Sequence, residues 1–294
     1  MAIESPERPD TAPGPAPRGP VAVAKATYQR FSEDQMMDRA AALTYYSMMS
    51  LFPALFVVVA LLGLLGTEQL VQDVVQYAAD QGADAALADA LEESLRGAIS
   101  RAGGGLGAAL ILAIAVGLYG SSGAFGAAGR ALNVVHRVED DRGFVRQKAE
   151  GLLWTLVIVL LAILTLVSIF LGGSIAQDLF GKLGLGDAFG EVWNTARWAI
   201  ALICAVVIYA IVYAFAPDTH PRKLRWITPG AALGVTAWIV ATVGFSIYVR
   251  NFGSYGATYG AFAAAVILLL WLWITNLCML AGAEFNAVLD ERRD

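Results

Sequence analysis

Residues 251–283, NFGSYGATYGAFAAAVILLLWLWITNLCMLAGA, run for 33 positions without one Asp, Glu, Lys or Arg. A helix crossing ~30 Å of hydrocarbon takes ~20 apolar residues, so this stretch spans with turns to spare. Five more uncharged runs lie upstream, at 40–67, 102–129, 151–177, 198–217 and 226–249. They hold 28, 28, 27, 20 and 24 residues. All 45 charged residues of the 294-residue chain (20 Lys+Arg, 25 Asp+Glu) fall outside the six runs. A soluble domain is about 25% charged and interrupts its apolar stretches sooner. Here the fraction is 15%, and the mean hydropathy is +0.61. The pattern excludes a soluble globular enzyme, a disordered chain and a disulfide scaffold. It also excludes an outer-membrane barrel, whose strands alternate apolar and polar residues over ~10 positions.

The fold class is therefore an all-α polytopic membrane protein with six transmembrane helices. The expected spans are about 40–66, 106–129, 151–172, 196–216, 228–249 and 260–284. Residues 1–20, rich in Pro, Ala and Gly, form an expected disordered tail. They contain no apolar core after a basic start, so the first span acts as an uncleaved anchor. The rest, 21–294, reads as one transmembrane domain. Residues 21–31, VAVAKATYQRF, predict a short amphipathic helix at the membrane interface. Ser32-Glu33-Asp34-Gln35 fits a capping box opening the next helix, or a polar loop. Pro53 inside the first span predicts a kink.

The segment 67–101 reads as two external amphipathic helices. Leu70, Val71, Val74, Val75 and Ala78 repeat at three and four, and Leu87, Leu91, Leu95 and Ile99 repeat at four. Gln81-Gly82 is the break, and a cap over the bundle is the expected role. A glycine-containing external loop after the third span is expected to hold a short helix. Trp154 and Trp226 fall at inner boundaries and Trp193 and Trp198 at an outer one. Trp238, Trp271 and Trp273 sit deep, where they pack between helices or face lipid.

Orientation follows from Lys and Arg. The tail through Arg39, residues 130–150, residues 217–226 and the C-terminus carry 15 of them; the other side carries Arg96, Arg101, Lys182, Arg197 and Arg250. The richer side is cytoplasmic, which puts both termini inside.

An ionisable residue within a membrane is the default pointer to function. The central layer here has none. Only Arg130 and Glu284 border it; their helices could pair them, but an interfacial lock or two snorkelling side chains is the preferred reading. Neutral polar residues remain. Tyr45, Tyr46, Ser50, Ser121, Ser122 and Asn276 sit at comparable depths, ~8–17 Å from the inner edge at 1.5 Å per residue. With Pro53, Gly120 and Gly123 they form a candidate groove open to the cytoplasm. The competing reading is hydrogen bonding between helices. Arg39, Arg130, Asn133, Arg222, Arg225 and Glu284 form a candidate cytoplasmic rim. Gly120, Gly123, Gly126 and Gly129 recur every three residues, which suits close helix packing. Gly230/Gly234 and Gly256/Gly260 are GxxxG pairs, which permit a homo-oligomer or packing within one chain.

Other chemistry finds little footing. Cys204 and Cys278 lie in apolar runs and read as small buried hydrophobes. His136 and His220 sit in different loops and read as solvated. No metal-ligand spacing, phosphate-binding loop or basic nucleic-acid track occurs. No cofactor, metal, nucleic-acid partner or catalytic residue is expected, and membrane lipids are the expected partners.

Several motifs resemble those of one family. Ala42-Leu43-Thr44-Tyr45-Tyr46-Ser47-Met48-Met49-Ser50-Leu51-Phe52-Pro53 looks like the first-span signature of the YihY/virulence factor BrkB family. Ala131-Leu132-Asn133 looks like its next landmark. Pro229-Gly230-Ala231, Tyr248, Asn251-Phe252, Tyr255 and Tyr259-Gly260 resemble its fifth-span region. Trp271-Leu272-Trp273 and Gly282-Ala283-Glu284-Phe285-Asn286-Ala287 resemble its end, with Phe285 where an aliphatic residue is expected. The match covers about 22–290. The resemblance implies a bacterial inner-membrane protein of six helices. It brings no settled activity, since members carry labels of tRNA-processing ribonuclease, serum resistance and export of lipid A-type lipids. Together these readings predict a translocator of a lipid or other amphiphile. The alternative is a non-catalytic scaffold recruiting envelope partners through 67–101.

Overall fold

The computed structural model describes residues 19–65, 71–72, 75–76, 88–89, 92–93, 95–97, 107–170, 186–219, 228–251 and 253–291. Side chains are described for these except 52–65, 107–114, 166–167, 169–170, 186–191, 250–251 and 253–264. The described residues are helical with short links and contain no strand. The long helices are α1 Pro20–Glu33, α2 Met36–Leu65, α3 Gly107–Val135, α4 Phe144–Phe170, α5 Gly186–Phe215, α6 Pro229–Asn251 and α7 Gly253–Asp290.

Among the described residues four segments are long and apolar enough to cross a membrane: Phe144–Thr165, Val192–Phe215, Pro229–Val249 and Ala265–Asp290. Helices α2 and α3 carry the two remaining uncharged runs, 40–65 and 107–129. The helices outrun the expected spans. α4 starts at Phe144 rather than 151, and α7 runs from Gly253 to Asp290 rather than over 260–284. Lack of charge marks where lipid begins, whereas backbone hydrogen bonding continues into charged sequence as readily as into apolar.

From α2 onward each helix packs on the next in the chain, and α7 returns to α2. α3 also touches α5 and α7, and α1 lies across α7 and the start of α2. The outward faces are apolar: Leu153, Leu160, Ile203, Val240 and Ile247 are exposed. That arrangement suits hydrocarbon as the solvent. Without a hydrophobic driving force inside lipid, small residues bring helices together. Gly230 and Gly282 do so between α6 and α7, where a Cβ on either glycine would collide with the other's carbonyl oxygen. Trp238 and Trp271 meet on the same pair of helices, and Trp238 Nε1 donates to Thr275 Oγ1 at 3.1 Å.

The junction of α1 and α2 corrects the expected capping box. Ser32 belongs to the last turn of α1 instead of opening α2. Asp34 N donates to Arg30 O at 2.8 Å, and Gln35 takes a left-handed φ of 52° before α2 begins at Met36. One left-handed residue thus makes a two-residue link, and the Arg39 guanidinium holds it by donating to Asp34 O at 2.9 Å. α2 continues as helix through Pro53. In 67–101 the described residues are helical, and Val71 and Leu95, both from the predicted apolar faces, are buried. The Gln81-Gly82 break, the loop after the third span, and residues 1–18 lie outside the described residues.

Candidate functional site

Polar side chains gather in two places along the second half of α3. The first is at its end. Arg142, in the 136–143 link, has a side chain only 4% exposed. It donates to Asp140 at 2.8 and 2.7 Å and to the Ala216 carbonyl at 3.0 Å. It also pairs with Glu150 at 3.5 Å and Asp218 at 3.6 Å. Asn133, buried on α3, accepts from Asp218 N at 2.8 Å and donates to Asp140 at 3.4 Å. Hydrogen bonding from Arg142 holds the Asp140 carboxyl below its ordinary value. The network ties α3, the link, α4 and the end of α5 into one unit. Stacking of Trp154 on Phe215, centroids 3.7 Å apart, continues the α4–α5 contact.

Beside it, α1 is fastened by Arg30. Its guanidinium approaches Glu284 at 3.6 Å, binds Glu291 at 2.9 Å and donates to Val135 O at 3.4 Å. Glu284 neither snorkels nor pairs with Arg130: it is fully buried under α1 and meets Arg30. Arg30 carries no sequence signal that separates it from the other tail cations. His136 is corrected too. It is half-buried in the turn after α3 rather than solvated. Burial pushes its pKa below the ordinary 6.5; Asp290 opposes this and Arg30 adds to it.

The second place lies one to three turns back along α3. Tyr119, Ser122, Gly123, Gly126 and Arg130 are spaced at three and four, so they share one face. Tyr46 of α2 flanks this face, its ring 3.5 Å from where a Cβ on Gly123 would sit. The Arg130 guanidinium lies 5.4 Å from the Tyr46 ring centroid. Lys148 of α4 flanks the other side, with its ammonium 2.8 Å from Ser122 Oγ and 3.8 Å from the Tyr119 ring centroid. Tyr45, Tyr46, Tyr119, Gly120 and Arg130 are exposed. The four glycines of α3 divide. A Cβ on Gly129 would meet the Ala216 carbonyl oxygen at 2.6 Å, so Gly129 serves close packing. Gly123 and Gly126 meet only the side chains of Tyr46 and Arg130.

The expected groove residues are thus not all brought together. Tyr46, Ser122 and Gly123 meet, and Tyr45 and Gly120 lie beside them. Ser121 instead ties α3 to α2, its hydroxyl donating to Ser50 O at 3.3 Å, while the Ser50 hydroxyl donates to Tyr46 O at 2.7 Å on its own helix. Asn276 donates to Thr44 at 3.1 Å, both buried between α7 and α2, away from the tyrosines. Pro53 lies on α2 where side chains are not described. Of the rim, Arg130 joins the open face, whereas Arg39 binds Asp34 and Asn133 and Glu284 belong to the buried networks. Arg222, Arg225, His220 and Trp226 lie outside the described residues. Tyr119 and Lys148 complete the open face and were not singled out by sequence. Lys148 precedes the uncharged run and reads there as a loop charge.

Among the described residues no three His, Cys, Asp or Glu side chains converge on a metal-sized site. Cys204 and Cys278 are free thiols, the former buried. Apolar helices with exposed outer faces define a helical membrane protein. A family model described as virulence factor BrkB matches residues 27–294, and the chain belongs to that family. It is 28% identical over 269 residues to the ribonuclease-like protein YfkH of Bacillus subtilis, covering 92% of this chain and 95% of that one. It is 27% identical over 276 residues to a UPF0761 membrane protein of Aeromonas salmonicida, covering 91% and 89%. A UPF0761 membrane protein of Photobacterium profundum is 27% identical over 280 residues, covering 92% and 82%. No solved structure matches.

Proposed function

We propose that the chain is a six-span protein of the bacterial cytoplasmic membrane, both termini inside, that moves a lipid or other amphiphile between leaflets. The observation that carries this reading is the open face of α3. Its glycines leave a shallow floor, and Tyr46, Ser122 and Lys148 supply polarity at the edge of an apolar bundle. A path for an amphiphile needs both properties side by side, because the head must stay solvated while the tail remains in lipid. The sequence supports the orientation, with 15 basic residues on one side and five on the other.

The scaffold reading needs a free apolar face on 67–101, whereas Val71 and Leu95 are buried on this chain. The YfkH name raises RNA cleavage, which needs metal ligands or an acid–base pair beside a basic track.

The test uses the purified chain in liposomes carrying a fluorescent phospholipid in both leaflets. Inner-leaflet label is expected to move to the outer leaflet, where an impermeant quencher reaches it, faster than in empty liposomes. Equal rates across several head groups would overturn the translocator reading.

A further inference from the structure

Lys148 is oriented against expectation. Gly151 of α4 faces Ser122 of α3, with a Cβ on Gly151 falling 4.0 Å from the Ser122 carbonyl oxygen. Lys148 lies three residues nearer the 136–143 link, so its Cα is ~4.5 Å from that level. A lysine near a helix end usually snorkels toward water, and the Cα–Cβ bond of a helical residue tilts toward the N-terminus, here toward the link. Its ammonium instead reaches the other way, to Ser122 Oγ at 2.8 Å and over the Tyr119 face. Arg130 also reaches away from the link, following the N-terminal tilt of its own helix. A Cβ on Gly126 would fall 3.7 Å from one of its guanidinium nitrogens, which places that group beside Gly126 and Tyr46. The two cations are therefore about one turn apart along α3, ~6 Å.

Neither cation has a carboxylate partner among the described residues. The nearest acid on α4, Glu150, binds Arg142 and Arg146 instead. Two cations without an acid partner among the described residues, one resting on the buried Ser122 hydroxyl and both beside a tyrosine ring, form half of a charge-complementary site. Farther from the link, the exposed apolar side chains Val116 of α3 and Leu156 of α4 face outward. A free anion would use the cations and leave these surfaces without purpose. A lipid uses both.

We propose that Lys148 and Arg130, with Ser122, Tyr46 and Tyr119, form a binding site for the phosphate of an anionic phospholipid head group, its chains lying against Val116 and Leu156. This rests on the translocator reading and names the substrate class for it.

The experiment measures phosphatidylglycerol retained by the purified full-length chain in detergent by native mass spectrometry, with phosphatidylcholine as the neutral control. Lys148→Gln and Arg130→Gln are each expected to lower phosphatidylglycerol retention about fivefold, as one basic residue near a lipid surface contributes. Phosphatidylcholine retention falls less, because its choline offsets the phosphate charge, and Lys148→Arg keeps binding. Arg146→Gln, on the same helix but paired with Glu150, is expected to change nothing. Lys148→Gln is also expected to lower the parent melting temperature by only a few degrees, because it removes one side-chain hydrogen bond and one cation–π contact at a partly exposed site. Equal loss in Lys148→Gln and Arg146→Gln would overturn the site. Displacement of the lipid by millimolar inorganic phosphate would overturn the choice of a lipid as ligand. Binding without flipping in the liposome assay keeps the site and removes translocation. Flipping that persists in Lys148→Gln keeps translocation and removes the site.

Discussion

At Asn133 and Arg142 the end of α3 is closed by partners. One guanidinium meets three carboxylates and a backbone carbonyl, and almost none of it is exposed. A few residues back, beside Ser122, Arg130 of the same helix and Lys148 of α4 are two cations that meet hydroxyl and aromatic groups and no acid among the described residues. Both places are polar, and both draw on α3, α4 and a third helix. The difference lies in what remains for a ligand. A guanidinium with its donors already committed locks helices together. A cation with donors left over at an exposed surface can take a phosphate. Partner content, rather than polarity, separates the structural patch from the candidate functional one.

The largest expected effect is on the closed patch. Arg142→Met removes the guanidinium that Asp140, Glu150 and Asp218 share. Removing one partner of a buried charge network costs about 3–5 kcal/mol. Thermal unfolding in detergent is expected to drop accordingly, while phosphatidylglycerol retention by the surviving folded fraction stays near the parent value. Retention that falls in proportion to Arg142 loss would break the contrast by showing one connected site.

The glycines sharpen it at the next scale. Gly129→Ala pushes a methyl group against the Ala216 carbonyl, for which overpacking costs about 1–3 kcal/mol. Gly126→Ala meets only the flexible end of Arg130 and gains up to about 1 kcal/mol of helix propensity. Opposite signs in the two melting temperatures support the division of α3 into a packed and an open part. Matching losses would erase it.

The smallest effect is a pH slope. Burial lowers the folded-state pKa of His136 below 6.5. Its contribution to stability is therefore complete above pH 6.5 and is lost as pH falls through 6.5 toward the folded value. Asp140 has a depressed folded pKa and loses its contribution only as pH falls below its ordinary 3.8. Between pH 7.5 and 5.5 His136 is one contributor to the change in melting temperature, and comparison of the parent with His136→Gln isolates its share. His136→Gln is expected to flatten the difference, and an unchanged slope would assign it elsewhere.

The membrane-helix character of the chain was legible in the uncharged runs, because hydrocarbon tolerates no scattered charge. The serine and asparagine roles were not. Asn276 and Tyr46 lie at similar predicted depth, yet Asn276 turns inward to Thr44 and Tyr46 turns outward. Depth follows from counting residues along one helix. Azimuth depends on which neighbour each helix packs against, and no single helix encodes that. Lys148 was missed for a related reason. Three residues before an uncharged run, it reads as a loop charge until α4 is seen to begin at Phe144.

Composition and charge order thus determined by themselves that this is a helical membrane protein, and the motif order pointed to its family. Those properties are summed along the chain and survive any arrangement of the helices. Which polar groups are spent on each other and which stay available was decided only by tertiary structure. Arg30 and Glu284 are 254 positions apart in sequence and Lys148 and Ser122 are 26 apart, and only folding determines which charges meet a carboxylate and which do not.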